Sequence, residues 1–186
     1  MKRIFVCLMA LATVLAMSAC SAGKMESPSS ATPFPSGASD SSAGMLNLWT
    51  NAATAQEAAD GAGVVHFQLP EEGTDTGDGA VTWREFRYMS GLAEARGGIG
   101  TATLTVRKGQ QNADVSGDYS VYSYKWIQEV EGRQVTCSGN EEGRAMKAIW
   151  IADFSSYSML VRGEGDAYST YGVDAETLET LVKAIQ

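Results

Sequence analysis

The sequence predicts that residues 45–186 fold as one α+β domain, with a single twisted antiparallel sheet of about six or seven strands. A short N-terminal helix and a C-terminal amphipathic helix are expected to pack on it. Residues 101–107 alternate polar and apolar side chains, as a half-buried strand does. Short strand-like runs follow between residues 119 and 162, which is typical of an antiparallel meander. After Asp174, apolar residues recur with the period of one helix face.

The first half of the domain begins with a helix. Thr54 and Glu57 form a capping box, and Gly61 is predicted to end the helix. In the strand predicted at Val81–Met89, Trp83 and Phe86 fall on opposite faces of an ideal pleat, so we expect a bulge or a twisted edge. Further predictions are a short strand at Val64–Leu69, a turn at Gly97–Gly100, and a strand at Thr101–Arg107 with Ala102, Leu104 and Val106 facing inward.

The second half is predicted as a meander that ends in a helix. Glu131 and Gly132 suit a tight turn between two strands. The strands are predicted at Tyr119–Val130, Arg133–Ser138, Arg144–Ile151 and Tyr157–Arg162. Asp174 is expected to cap the last helix, whose apolar stripe should lie across the inner face of the sheet. That stripe consists of Leu178, Leu181, Val182 and Ile185.

Residues 1–19 have the layout of a lipoprotein signal peptide. Lys2 and Arg3 precede an apolar run that ends at Ala16, and Ser18-Ala19 directly precede Cys20. The run is too short to cross a membrane as a helix, which needs about 20 residues. This layout resembles the lipobox of bacterial lipoproteins, which implies cleavage before Cys20 and a thioether-linked diacylglycerol on its sulfur, with acyl chains such as palmitate. Two chains would anchor the protein stably at the outer face of the cell membrane.

Residues 20–44 are predicted to be the lipidated cysteine and a disordered tether. The segment is rich in Ser, Pro and Gly and holds too few large apolar side chains to form a core. Without residues 1–19 the chain has 12 basic and 22 acidic residues, a net charge of −10. This charge disfavours nucleic-acid binding. It also leaves the acyl chains as the predicted membrane contact.

A set of short landmarks runs along the domain in a fixed order. The landmarks are Trp49, Thr54-x-x-Glu57-Ala58, Gly63, Leu69-Pro70, Ser116-Gly117-x-Tyr119, Val135-x-x-x-Gly139, Ala148-x-Trp150, Tyr157-Ser158 and a closing helix at 175–185. In this order they resemble a domain of unknown function that is common in lipoproteins of Gram-positive, often gut-dwelling, bacteria. A similar domain forms the extracytoplasmic part of some anti-sigma factors, whose cytoplasmic zinc segment this sequence lacks. The resemblance implies an extracytoplasmic sensing or binding module without catalytic residues.

Tyr122, Tyr124 and Trp126 are the candidate ligand-binding residues. On a single strand they would share one face. If that face is open, it is a platform for a protein, peptide or glycan. If the last helix covers it, the three aromatics belong to the core, as large aromatic residues more often do. Val121 and Ile127 on the opposite face leave both interpretations open.

No set of residues predicts a catalytic, metal or cofactor site. Cys137 and His66 are a possible thiol–imidazole pair, but each is expected to be a structural strand residue. The loop at 71–79 gathers acidic residues without the spacing of a calcium loop. We therefore expect a non-enzymatic, lipid-anchored binding or sensing module. The alternatives are an extracytoplasmic hydrolase built from scattered acids and a carrier of an apolar ligand.

Overall fold

The computed structural model describes residues 47–110 and 113–186. These residues form one open antiparallel sheet of eight strands in the order β1-β2-β3-β4-β8-β7-β6-β5. The strands are β1 Thr50–Ala52, β2 Val81–Met89, β3 Leu92–Ile99, β4 Ala102–Gln110, β5 Tyr124–Val130, β6 Arg133–Gly139, β7 Lys147–Ala152 and β8 Ser155–Arg162. The helices are α1 Ala55–Ala62, α2 Ala175–Ala184 and a 3-10 helix at Gly165–Ser169. The α+β class and the C-terminal meander are confirmed, while the sheet has more strands than the sequence predicted.

The sheet consists of two four-stranded meanders, β1–β4 and β5–β8, which join where β4 pairs with β8. The pairing runs from Thr103↔Arg162 to Gln110↔Ser155. Neighbouring residues on the core side of this junction are fully buried, including Leu104 and Val106. The predicted inward face of the central strand is therefore confirmed.

Both helices cover the same face of the sheet. The α2 stripe predicted from the sequence is buried, with Leu178, Leu181 and Val182 at 0% exposure and Ile185 at 1%. Asp174 Oδ1 accepts a hydrogen bond from Thr177 N at 2.8 Å, which confirms the predicted cap. Helix α1 presents its own apolar side to the same face, burying Ala58, Ala59 and Ala62.

Helix α1 ends two residues later than predicted. Gly63, with φ of 73°, supplies the left-handed residue that terminates it, whereas Gly61 lies inside the helix. A side chain at position 61 would overlap the ring of Tyr88 on β2. Gly61 is therefore explained by close packing of helix on sheet, which local sequence signals cannot reveal.

The expected bulge in β2 is confirmed and explains its aromatic residues. The register shifts between Trp83 and Glu85, so that Trp83 pairs with Gly97 and Phe86 with Ala95. Because Gly97 and Ala95 are two residues apart on β3, the extra residue brings Trp83 and Phe86 to one face. Both aromatic side chains pack against the core.

Several strand predictions are wrong, and β4, β7 and β8 each have an end two or three residues from the predicted position. Residues 64–69 are irregular; Val64 and Phe67 contribute to the core without joining the sheet. Residues 97–99, predicted as part of a turn, belong to β3. The strand expected from Tyr119 begins only at Tyr124, because the preceding residues cross the outer face of the sheet instead of pairing.

Candidate binding surfaces

The outer face of the sheet carries a buried ion cluster centred on Glu94. Arg87, Glu94 and Arg107 are register partners on β2, β3 and β4. Arg87 Nε donates to Glu94 Oε1 at 2.6 Å and Arg107 Nε donates to Oε2 at 2.6 Å, while Arg96 Nε lies 2.6 Å from Oε1. The ring of Trp49 stacks beneath Arg87 at 4.4 Å. The Glu94 side chain is fully buried, so these contacts replace its hydration.

Replacing Glu94 by Gln should lower the free energy of unfolding by about 1–3 kcal/mol, because it leaves three partly buried guanidinium groups without their shared counter-charge. Urea unfolding followed by circular dichroism measures the loss. Glu85→Gln is the matched control, since Glu85 lies 3.8 Å from Arg87 and 4.0 Å from Arg96 but is 40% exposed. The control should lose less than about 1 kcal/mol. Equal losses for the two variants would contradict the buried cluster.

The segment at 113–123 covers β8 on this outer face, and Tyr122 helps to fasten it. Tyr122 Oη donates to Asp118 Oδ2 at 2.6 Å and accepts from Arg162 at 2.6 Å. Arg162 also lies 2.9 Å from Asp118 Oδ1. Burial would raise the pKa of Asp118, but hydrogen bonds from Tyr122 and Ser120 and the Arg162 guanidinium hold it at about 2. Tyr122 therefore holds the 113–123 segment against β8 through polar contacts, and it is separated from Tyr124 and Trp126.

Tyr124 and Trp126 do share one face of β5, as the sequence predicted. Trp126 is half-buried and packs against the core, whereas Tyr124 is 44% exposed. With Lys125, Glu142 and Gly143 they line a groove of about 380 Å³, hereafter the β5 groove. Trp126 therefore lies at the margin of the core, as one interpretation expected, whereas Tyr124 is open to solvent, as the other expected.

Strand β5 is also an edge of the sheet. Among the described strands, only β6 pairs with it. On its opposite face Ile127 is 64% exposed. An edge strand with apolar side chains on both faces is a surface to which another extended segment can add.

The structure separates the possible thiol–imidazole pair. Cys137 is fully buried on β6, and burial raises the pKa of its thiol to about 12. His66 is exposed on the irregular 64–69 segment and lines a cavity to which Cys137 does not contribute. The core-facing strand position predicted for Cys137 is therefore confirmed, whereas the strand position predicted for His66 is wrong.

Residues of the acidic loop at 71–79 also make contacts that stabilise the fold. Asp78 pairs with Arg144 at 3.1 Å and accepts a hydrogen bond from the backbone of Asp174, the cap of α2. Asp75 accepts a bond from Gly77 N within the loop. Within residues 47–110 and 113–186, no group of three or more His, Cys, Asp or Glu side chains could hold a metal ion.

A further cavity, which the sequence did not single out, lies beside the β4–β8 junction. Its volume is about 240 Å³, and it is hereafter the junction cavity. Its walls include Lys108 and Tyr157, which are register partners, and Asp153 from the β7–β8 turn. The remaining lining residues are Val65, His66, Gln68 and Gln186.

Lys108 is only 4% exposed, and its Nζ lies 4.9 Å from the centre of the Tyr157 ring. Burial lowers the pKa of Lys108, and the Asp153 carboxylate opposes this effect. Burial, reinforced by Asp153, raises the pKa of Tyr157 to about 12. The cavity therefore combines a poorly solvated ammonium group with a nearby carboxylate.

Cys20 lies outside the described residues. Within those residues, no helix has the length and apolar character needed to cross a bilayer. Comparison of the chain with known protein families, with curated proteins and with solved structures gave no match.

Proposed function

We propose that this chain is a lipid-anchored, non-enzymatic binding module at the outer face of the cell membrane. Its partner is an extended segment of another protein, which adds to the sheet along β5. The observation that carries the proposal is the combination of an edge strand with the adjoining β5 groove. The resemblance to extracytoplasmic lipoprotein domains points to the same class of function.

Strand addition uses both the backbone and the side chains of an edge. The backbone of an incoming segment would hydrogen-bond to the edge of β5, and its side chains would point alternately to the two faces. On one face they would meet Tyr124 and Trp126, and on the other Ile127. The amphipathic Tyr124 ring suits such a contact because it offers apolar area together with a hydroxyl group.

The two alternative functions have less support. A hydrolase built from acids requires carboxylates that converge on one site, yet the β5 groove and the junction cavity each have one carboxylate, Glu142 and Asp153. A carrier would need an apolar space between the sheet and α2. The α2 stripe instead packs into a continuous core that includes Val135 and Cys137.

Site-specific photo-cross-linking on intact cells tests strand addition. A benzoyl-phenylalanine at position 124 should capture a protein partner, and mass spectrometry should map the adduct to an extended segment. The same probe at Gln56, an exposed position on α1, is the control and should give no matching adduct. Adding Trp126→Ala should reduce capture at position 124, because it removes one wall of the β5 groove.

Circular dichroism of the Trp126→Ala variant should confirm that its fold is retained. Capture at both probe positions alike, capture of nothing at position 124, or capture that is insensitive to Trp126→Ala would contradict strand addition at β5.

Cell fractionation tests the anchor. Cys20→Ala should move the protein from the membrane to the soluble extracytoplasmic fraction, because the acyl chains supply the membrane attachment. Cys137→Ala is the matched control and should stay with the membrane, since Cys137 is buried in the domain. A Cys20→Ala protein that remains fully membrane-bound would refute the lipid anchor.

A further inference from the structure

Lys108 and Asp153 bring opposite charges into the junction cavity without forming an ion pair. Among the described residues, no carboxylate lies within 4.0 Å of the Lys108 ammonium group, which lies over the Tyr157 ring instead. Buried ammonium groups in proteins are normally paired, because desolvation without a partner is costly. Lys108, whose side chain is almost fully buried, therefore lines the cavity with an ammonium group that is not held in an ion pair.

The Tyr157 hydroxyl is also unpaired. Tyr157 is 1% exposed, and its oxygen has no hydrogen-bond partner in the described part of the chain. An unpaired buried hydroxyl costs about 1–3 kcal/mol. This hydroxyl belongs to the register partner of Lys108 on the neighbouring strand, and both residues line the cavity.

We propose that the junction cavity binds a small zwitterion of the α-amino-acid type, with its carboxylate on Lys108 and its ammonium group near Asp153. A volume of about 240 Å³ lies below the roughly 300–1,000 Å³ of pockets for drug-sized ligands and suits a compact molecule. The Tyr157 ring and Val65 supply apolar wall for its side chain.

Lys108 and Asp153, the two charged residues of the cavity, indicate that the ligand carries both a negative and a positive charge. A simple carboxylate would satisfy Lys108 but would bring a second negative charge towards Asp153. A dianionic phosphate would meet stronger repulsion. A simple amine would leave Lys108 unpaired and would be repelled by it. A zwitterion meets an opposite charge at each end.

The backbone around the cavity is held in an uncommon conformation. His66 and Asp153, both lining residues, have left-handed φ angles of 51° and 48°. For Asp153 this conformation follows from the two-residue turn between β7 and β8, in which Phe154 also has a left-handed φ, of 59°. Gln68 and Gln186 exchange two backbone hydrogen bonds, of 2.7 and 3.1 Å, which fix the facing wall.

Isothermal titration calorimetry of the full chain with the common L-amino acids tests this proposal. At least one amino acid should bind at millimolar concentration or below. Its analogues that lack the amino group or the carboxylate should each bind about tenfold more weakly or worse, because each loses one charge pair. Absence of binding by every amino acid, or equal binding of the two analogues and the amino acid, would overturn the proposal.

Two variants locate the site. Lys108→Met keeps the apolar stem of the side chain but removes its charge, so amino-acid binding should be lost. Asp153→Asn keeps a residue type that tolerates the left-handed turn, and it should weaken binding of the amino acid but not of the deaminated analogue. Lys125→Met, in the β5 groove, is the control and should bind normally.

Unchanged affinity in Lys108→Met, or equal weakening of both ligands by Asp153→Asn, would refute the assignment. The junction cavity shares no lining residue with the β5 groove, so this test is independent of the proposed strand addition.

Discussion

The pairing of β4 with β8 is the constraint on which the rest of the structure depends. In the described sheet it is the contact that turns two separate meanders into one eight-stranded layer. Its partners lie far apart in sequence, from Gln110↔Ser155 to Thr103↔Arg162, so closing the intervening chain costs entropy before the pairing stabilises anything. Burial of the residues at its centre offsets that cost, since Leu104, Val106, Met159 and Val161 are all fully buried.

The register of this pairing also determines what lies on each face. On the core side it sets Lys108 opposite Tyr157, which creates the junction cavity. On the outer side Arg107 belongs to the same strand and reaches both Glu94 and the backbone of the 113–123 segment. A one-residue shift of β4 would exchange the faces of the strand and turn Arg107 towards the core, away from Glu94. We assign binding to two features that lack a partner within the fold. One is the outer edge of β5, which pairs with no further strand in the described sheet, and the other is the ammonium group of Lys108, which forms no ion pair with a described residue.

Local patterns in the sequence predict the elements whose stability is local. The α2 stripe, the cap at Asp174 and the turn at Glu131-Gly132 need only their own neighbours, and all three are present. Strand β3 escapes prediction because its core side carries mainly small residues, Ala93, Ala95 and Gly97, which are uncommon in strands. On its outer side, the role of Glu94 depends on arginines from other strands. The sequence prediction places Tyr122 wrongly for a related reason, because its hydrogen-bond partners Asp118 and Arg162 come together only after folding. The position of Lys108 in the junction cavity likewise depends on pairing with Tyr157, some 50 residues away, which local sequence patterns do not predict.

Hydrogen exchange at increasing urea concentrations, resolved to individual strands by mass spectrometry, tests the central role of the β4–β8 pairing most directly. If this pairing unites the two meanders, the most protected amides of β2–β4 and of β6–β8 should exchange through one common opening, with the same free energy and the same dependence on urea. Loss of protection in one meander at a urea concentration that leaves the other protected would contradict the account, because each half would then be stable without the junction.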